Sequence, residues 1–166
     1  MRFNLVLCAS ANEFFLPLVT CLSLVSIIYA SLSAIRQMDL KKIIAYSSVA
    51  HMNVVVLGIF SNTIQGIDGA MYLMVGHGIV SGALFLCVGV AYDRYHTRLI
   101  RYYGGLVHVM PLFCSLFFLF TLANVGFPAT SNFIGELLIF AGLATQSFFT
   151  LFFAATGVVL SAVYSM

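Results

Sequence analysis

Long apolar runs dominate the chain, separated by short segments that carry charges, glycine or proline. Apolar runs of about 18 residues or more predict helices that cross a lipid bilayer. The pattern therefore predicts an all-α membrane protein in which residues 1–166 form a single transmembrane domain. Residues 1–11 imitate a signal peptide, but their apolar core is too short, and we expect the ragged end of a helix. The five predicted spans cover about 14–35, 43–60, 69–92, 110–142 and 147–164.

The fourth predicted span is interrupted at 126–131 by Gly-Phe-Pro-Ala-Thr-Ser. Gly126 adds backbone freedom, and Pro128 lacks an N–H and clashes with the preceding turn, so the two residues are predicted to form a hinge. As two separate spans, the second piece would be too short to cross, so we expect one discontinuous helix. Broken backbone persists at membrane depth only where protein or water satisfies its polar groups. Such interruptions are typical of transport sites.

Composition and charge agree with a membrane chain. The sequence is 62% hydrophobic and only 7% charged, with a mean hydropathy of +1.09, whereas soluble domains are about a quarter charged. Its basic residues cluster in two loops, which five spans place on the same side, so both loops are predicted to face the cytoplasm or the mitochondrial matrix. No basic stripe is interleaved with exposed aromatic residues, which excludes a nucleic-acid partner. The clustered basic residues are Arg36, Lys41, Lys42, Arg94, Arg98 and Arg101.

Three carboxylate or histidine side chains fall inside the predicted spans. Glu136 follows the break and is the only carboxylate within an apolar run. Intramembrane charges usually mark ion paths, although a satisfied structural carboxylate is the alternative. Counting along the helices places His51 and His77 near the midplane on neighbouring helices. Histidine titrates near physiological pH, so the two are predicted to relay protons; the alternative is a pair of hydrogen-bonded core histidines.

Lys41 and Lys42 begin the second span. One of the two is expected to be only a topology determinant whose side chain reaches the headgroups. The other is expected to feed a polar channel, and the residues alone leave open which one does so.

No pattern indicates a metal or an organic cofactor. The cysteines contain no C-x-x-C pair and no zinc spacing with histidine. Nucleotide, flavin, haem and iron–sulfur motifs are missing from the sequence, so no redox residue and no cofactor-binding residue is predicted. The small residues around His77 predict close helix packing. These small residues are Gly76, Gly78, Ser81, Gly82 and Ala83, and the cysteines are Cys8, Cys21, Cys87 and Cys114.

Four blocks of sequence carry a resemblance to a known family. They are DLKKIIAYSSVAHM at 39–52, GHG at 76–78, YDR with HTR at 92–98, and NFIGE at 132–136 after a Gly-x-Pro break. In this order the blocks resemble the antiporter-like membrane subunits of respiratory complex I, NADH:ubiquinone oxidoreductase. They cover nearly the whole chain. Glu136 favours the type of subunit whose broken helix carries glutamate where its sister subunits carry lysine.

The resemblance implies an inverted-repeat fold, in which each repeat has five helices and the fourth is broken. The chain resembles the second repeat alone, without the upstream glutamate, the two upstream lysines and a final helix. We therefore expect a split subunit whose N-terminal half is a separate chain; the alternative is a truncated form of an ordinary long subunit. The family pattern favours Lys41, and implies a proton relay through Lys41, His51, His77 and Glu136.

The resemblance also implies partners and a location. NADH, FMN, iron–sulfur clusters and ubiquinone would be bound by other subunits, and none by this chain. The expected partners are other membrane-arm subunits of complex I, adjacent antiporter-like subunits and lipids. The phenylalanine-rich composition favours a mitochondrial copy, in the inner membrane with its basic loops toward the matrix.

Three functions from different classes are compatible with these observations. The first is a piece of a redox-driven proton pump. The second is a subunit of a multisubunit cation/proton antiporter, which shares the motifs. The third is a structural membrane scaffold. Association with NADH dehydrogenase activity, or sodium-dependent proton flux without NADH, distinguishes the first two.

Overall fold

The computed structural model describes residues 7–165, and nearly all of them lie in helices. The predicted all-α class is confirmed for this part of the chain. Of the predicted ragged helix end at 1–11, residues 1–6 lie outside the described residues. The helices are α1 (Ala9–Ile35), α2 (Leu40–Phe60), α3 (Ile64–Tyr95), α4 (Leu106–Val109), α5 (Pro111–Val125), α6 (Ser131–Gln146) and α7 (Phe148–Ser165), with a 3-10 turn at Ile100–Tyr103.

Four of these helices are long and apolar enough to cross a bilayer: α1, α2, α3 and α7. The shortest, α7, has 18 residues and is therefore about 27 Å long, close to the roughly 30 Å of the hydrocarbon core. The longest, α3, has 32 residues and extends well beyond that thickness. The protein is thus a membrane protein with several apolar helices.

Helices α5 and α6 follow one another along the same continuous partner, α3. The side chains of α5 pack on the C-terminal half of α3, where Phe117 and Phe120 cover Val80, Leu84 and Val88. Helix α6 packs on the N-terminal half, where Gly69 and Leu73 of α3 approach Leu138 and Gly135. Because the order along α3 is reversed, the two helices run antiparallel to it as one discontinuous span.

Two tight turns produce the break between α5 and α6. At its C-terminus, α5 is closed by Gly126, whose φ is +80°. Hydrogen bonds from the Gly126 and Phe127 N–H groups to the Ala123 and Leu122 carbonyls form a Schellman cap. The next turn is closed by the Thr130 N–H on the Phe127 carbonyl at 3.0 Å. Pro128 occupies its second position, and Ala129 takes a φ of +83° at the third, as in a type II turn.

Glycines bring α3 and α6 into backbone contact. A Cβ added to Gly69 would lie 2.7 Å from the Leu138 Cβ and 2.8 Å from the Ile139 N. A Cβ on Gly142 would lie 2.8 Å from the Gly66 N. Small residues allow this approach in membrane bundles, where van der Waals packing replaces the hydrophobic effect between helices.

The predicted close packing around His77 is correct at Gly76 and wrong at two other positions. A Cβ on Gly76 would lie 2.8 Å from the Ser131 Oγ, whereas Gly78 and Gly82 have no described atom within 4 Å of such a Cβ. The helical period explains the difference, because Gly69 and Gly76 share a face at i and i+7. Gly78 and Gly82 lie on another face of α3.

The two basic loops contact each other. The Leu40 N–H donates to the Arg98 carbonyl at 3.0 Å, and the Ile100 N–H donates to the Met38 carbonyl at 3.1 Å. The segment before α2 and the segment after α3 therefore lie at the same end of the bundle. The prediction that both basic loops occupy one side is confirmed.

The apolar residues point outward as well as inward. Phe14, Leu112 and Phe149 are each more than three-quarters exposed, as suits side chains that face lipid. The core between α1, α2, α3, α6 and α7 is apolar near one end of the bundle, where Leu57, Leu73 and Ile139 are fully buried. Toward the middle of the bundle the interior becomes polar.

A pair of glycine substitutions in α3 tests the packing. We expect Gly69→Ala to destabilise the assembled protein by roughly 1–3 kcal/mol, because its Cβ would meet backbone that has little room to move. Gly82→Ala adds the same methyl group on an open face and should be neutral or stabilising, by up to about 1 kcal/mol of helix propensity. Retention of each variant in the native membrane complex under graded heating measures the difference. Equal behaviour of the two variants contradicts the described α3–α6 contact.

Candidate functional site

Four helices converge on a polar cluster in the middle of the bundle. Helix α2 contributes His51, α3 contributes His77, α6 contributes Glu136 and α7 contributes Tyr164. Glu136 and His51 are each 5% exposed, and His77 is 3% exposed. Glu136 thus faces protein and not lipid.

The closest contact in this cluster joins a carboxylate to an imidazole. His51 Nδ1 lies 3.2 Å from Glu136 Oε1, and both side chains are 6% exposed. An unpaired charge at such a depth is costly, and pairing offsets part of that cost. At this distance an imidazole and a carboxylate are close enough to exchange a proton directly.

The second histidine extends the cluster. The His77 ring centroid is 5.1 Å from that of His51, and His77 Nε2 is 3.1 Å from the Ser48 Oγ. His77 Nδ1 has no hydrogen-bond partner among the described residues. The resulting order is Ser48, His77, His51 and Glu136.

Both histidines lie deep in their helices. His51 is eleven residues from the start of α2, or about 16 Å along its axis. Helix α3 begins at Ile64, five residues before the predicted start at 69, so His77 is thirteen residues from it, about 20 Å. His77 is therefore deeper than the predicted helix start at 69 indicates, because the helix is longer than its apolar pattern.

The interruption of the discontinuous span lies directly against Glu136. A Cβ on Gly126 would be 2.7 Å from Glu136 Oε2, so the absence of a side chain there lets the carboxylate fit. Pro128 is exposed in the turn that follows. Gly126 is the hinge residue that lies against the carboxylate.

Lys41 is not part of the cluster. It is exposed in the first turn of α2, and no hydrogen bond or ion pair joins it to any described residue. Its neighbour Lys42 contacts Asp39 at 3.4 Å on the surface. His51 is ten residues after Lys41. This corresponds to about 15 Å of rise along the helix axis and about 2.8 turns. The predicted polar line from Lys41 to Glu136 is thus not continuous among the described residues.

Several polar residues beside the histidines were not predicted as site residues. The Tyr164 hydroxyl is 3.5 Å from His51 Nε2, on the opposite edge of the ring from Glu136. Asn132 is fully buried beside Gly76, and both its amide atoms lack a partner among the described residues. Ser48 and Asn132 could have been found as polar residues in apolar runs. Tyr164 gave no local signal, because 113 residues separate it from His51.

The described part of the chain contains no group of three or more His, Cys, Asp or Glu side chains that could hold a metal ion. Its four cysteines are free thiols. The carboxylate, imidazole and hydroxyl groups that the cluster does contain can exchange protons with one another.

Comparison with known sequences gives a consistent family. Residues 1–161 match the family described as NADH:quinone oxidoreductase/Mrp antiporter, TM. Over 166 residues the chain is 55% identical to NADH-ubiquinone oxidoreductase chain 4 of Arabidopsis thaliana and 54% identical to that of Marchantia polymorpha. All of this chain is covered, but it spans only 34% of the length of each relative.

Solved structures agree with the sequence matches. A chain of respiratory complex I from Thermus thermophilus with bound NADH superposes with a TM-score of 0.95 at 34% identity, covering 99% of this chain and 35% of that one. A chain of the membrane-bound sulfane sulfur reductase, an archaeal respiratory membrane complex, superposes with a TM-score of 0.87 at 26% identity, covering 92% and 31%. The family match extends over nearly the whole chain, and the chain therefore belongs to the NADH:quinone oxidoreductase/Mrp antiporter transmembrane family.

Proposed function

We propose that this chain forms one segment of a proton path in the membrane arm of an NADH:ubiquinone oxidoreductase, respiratory complex I. The observation that carries the proposal is the His51–Glu136 contact at 3.2 Å, which is buried in the bundle with the His77 ring 5.1 Å from the His51 ring. The similarity to chain 4 of NADH-ubiquinone oxidoreductase over the whole chain supports the same assignment.

The proposed step is a proton transfer through an imidazole. His51 takes a proton at Nε2 and releases the proton at Nδ1 to the Glu136 carboxylate, so the ring carries charge forward without moving. Two imidazolium rings only 5.1 Å apart would repel one another in this apolar setting. At most one of the two rings would therefore be an imidazolium cation at a time, while the other stays neutral with the Ser48 hydroxyl beside it.

Electron transfer would take place in other subunits of the enzyme. NADH, FMN, iron–sulfur clusters and ubiquinone would bind other subunits, while this chain translocates protons. Its partners would be other membrane-arm subunits, including adjacent antiporter-like subunits. Its location would be the mitochondrial inner membrane, with the paired basic loops toward the matrix and Lys41 near the entrance on that side.

The relatives are about three times as long, so the proposed path also needs the portion they contain beyond this match. That a separate polypeptide carries this portion stays a prediction. The intact mass of the chain in the purified complex decides it: about 18.1 kDa supports a separate partner, and the relatives' full length rejects one.

A cation/proton antiporter is the second candidate function. The matching family includes Mrp antiporters as well as NADH:quinone oxidoreductases, and the same buried pair would serve either. Sodium-dependent proton flux that persists without NADH would favour the antiporter. Proton flux that requires NADH oxidation would favour the proposed pump.

Replacing either member of the His51–Glu136 pair with a side chain that does not exchange protons tests the function. In the complex reconstituted into sealed vesicles, Glu136→Gln and His51→Gln should lower the protons translocated per NADH oxidised at least about tenfold, since each removes a proton-exchanging group. NADH oxidation by an artificial acceptor should continue, because it needs no proton path through this chain. His108→Ala is the matched control, because His108 is exposed and outside the cluster, and its pumping should be unchanged. Unchanged pumping in both site variants contradicts the proposed function.

The contact between the break and the carboxylate gives a second prediction. Gly126→Ala should reduce pumping by displacing Glu136 from His51, because its Cβ would lie 2.7 Å from Glu136 Oε2. Gly105→Ala is the control: Gly105 has the same φ of +80° but no atom within 4 Å of a Cβ. Both variants introduce similar backbone strain of about 1–2 kcal/mol. Comparable pumping in the two variants would show that the contact with Glu136 is unimportant.

A further inference from the structure

A cavity lies between the basic loops and the buried pair. Its volume is about 250 Å³, and Leu40 and Ile100, the residues whose backbones pair the two basic loops, line it. The cavity is bounded by α2, α3, α5 and α7. Its polar lining consists of Ser47, Thr121, Asn124, Tyr164 and Ser165.

Asn124 gives this cavity a group that binds water. The residue is only 6% exposed, it lines the cavity, and its Oδ1 has no hydrogen-bond partner among the described residues. Buried polar atoms in native proteins are nearly always hydrogen-bonded to protein or to ordered water. A cavity of this size has room for several water molecules, since one needs only about 10–15 Å³.

Tyr164 lines both this cavity and the space beside the buried pair. The second space is narrow, about 10 Å³, and is also lined by His51 and Glu136. That space is at the lower limit for one water molecule, so it has no room for a chain of water molecules between the larger cavity and His51. The Tyr164 hydroxyl, 3.5 Å from His51 Nε2, is the polar group at the boundary.

We propose that this cavity is a hydrated access route for protons between the basic-loop side and His51, and that Tyr164 is the relay residue at its inner end. The inference rests on the proposed function of the His51–Glu136 pair. In the inward direction, a hydronium ion in the cavity gives a proton to the Tyr164 hydroxyl oxygen and becomes water, as the original hydroxyl proton moves to His51 Nε2. His51 then releases its Nδ1 proton to Glu136. The reverse sequence carries a proton outward, and Tyr164 ends each transfer with one hydroxyl proton.

Two substitutions of Tyr164 distinguish a relay from a packing role. Tyr164→Phe keeps the ring as a barrier but removes the hydroxyl, so proton translocation in reconstituted complex should fall roughly tenfold or more. Tyr164→Ala opens the barrier to water, so proton conduction should return and appear partly as a passive leak. If Tyr164 only packs the bundle, Phe should behave like wild type and Ala should be the worse variant. That order of effects would overturn the proposal.

Tyr29→Phe is the matched control for these variants. Tyr29 is 71% exposed on α1, away from both cavities, so loss of its hydroxyl should leave translocation unchanged. His51→Gln distinguishes a failure of the tyrosine relay from a failure of the proposed function of the His51–Glu136 pair. Blocked pumping in His51→Gln with normal pumping in Tyr164→Phe rejects the tyrosine relay and leaves the function of the pair intact.

Accessibility of the cavity is measured without reference to pumping. In a background with Cys87 and Cys114 replaced by alanine, Asn124→Cys in the assembled complex is treated with a membrane-impermeant thiol reagent on either side of oriented vesicles. Labelling from the basic-loop side, detected by mass spectrometry of the peptide, is the expected result. Labelling only from the opposite side, or from neither side while an exposed control, Tyr102→Cys, is labelled, would overturn the proposed route.

Discussion

The His51–Glu136 contact is the constraint on which the rest of this bundle depends. An unpaired carboxylate in the apolar middle of a membrane protein costs several kcal/mol. The 3.2 Å contact offsets that cost, and it requires α2 and α6 to present their side chains at the same depth. Pairing with a group that exchanges protons, rather than with an arginine, keeps the site able to change its protonation state.

The helix packing serves this requirement in two ways. Glycines in α3 and α6 remove side-chain thickness between the helices, and Gly69, Gly135 and Gly142 mark the close approach. Helix α6 begins in the middle of the bundle because the chain breaks at 126–130, and this brings Glu136 within its second turn. The break also places Gly126 against the carboxylate. One discontinuous helix thus positions the charge and makes space for it.

The sequence predicted the parts of this arrangement that have local signals. The lengths of the apolar runs predicted the helices, and Gly126 and Pro128 predicted the break. The charges of the loops correctly predicted that both basic loops lie at one end. Glu136, His51 and His77 stood out because ionisable residues are rare in apolar runs. The structure brings these three together, while their roles in proton transfer rest on the proposed function.

Other features could not be predicted because they depend on relations between distant segments. Nothing near Tyr164 indicates that its hydroxyl lies beside His51, and nothing near Gly126 indicates its contact with Glu136. Gly78 and Gly82 looked equivalent to Gly76 because composition does not show which helix face is covered. Lys41 was expected in the relay because the family pattern favours it, and that pattern does not show that its side chain is exposed at the start of α2, about 15 Å of helix rise from His51.

In the proposed proton path, Glu136 gains and loses a proton during turnover. Infrared difference spectroscopy of the complex in membranes, comparing resting and NADH-driven states, measures this change. We expect a protonated-carboxyl band that changes on turnover, shifts in D₂O and is missing in Glu136→Gln. A turnover spectrum whose carboxyl region is identical in wild type and Glu136→Gln would contradict the proposed path.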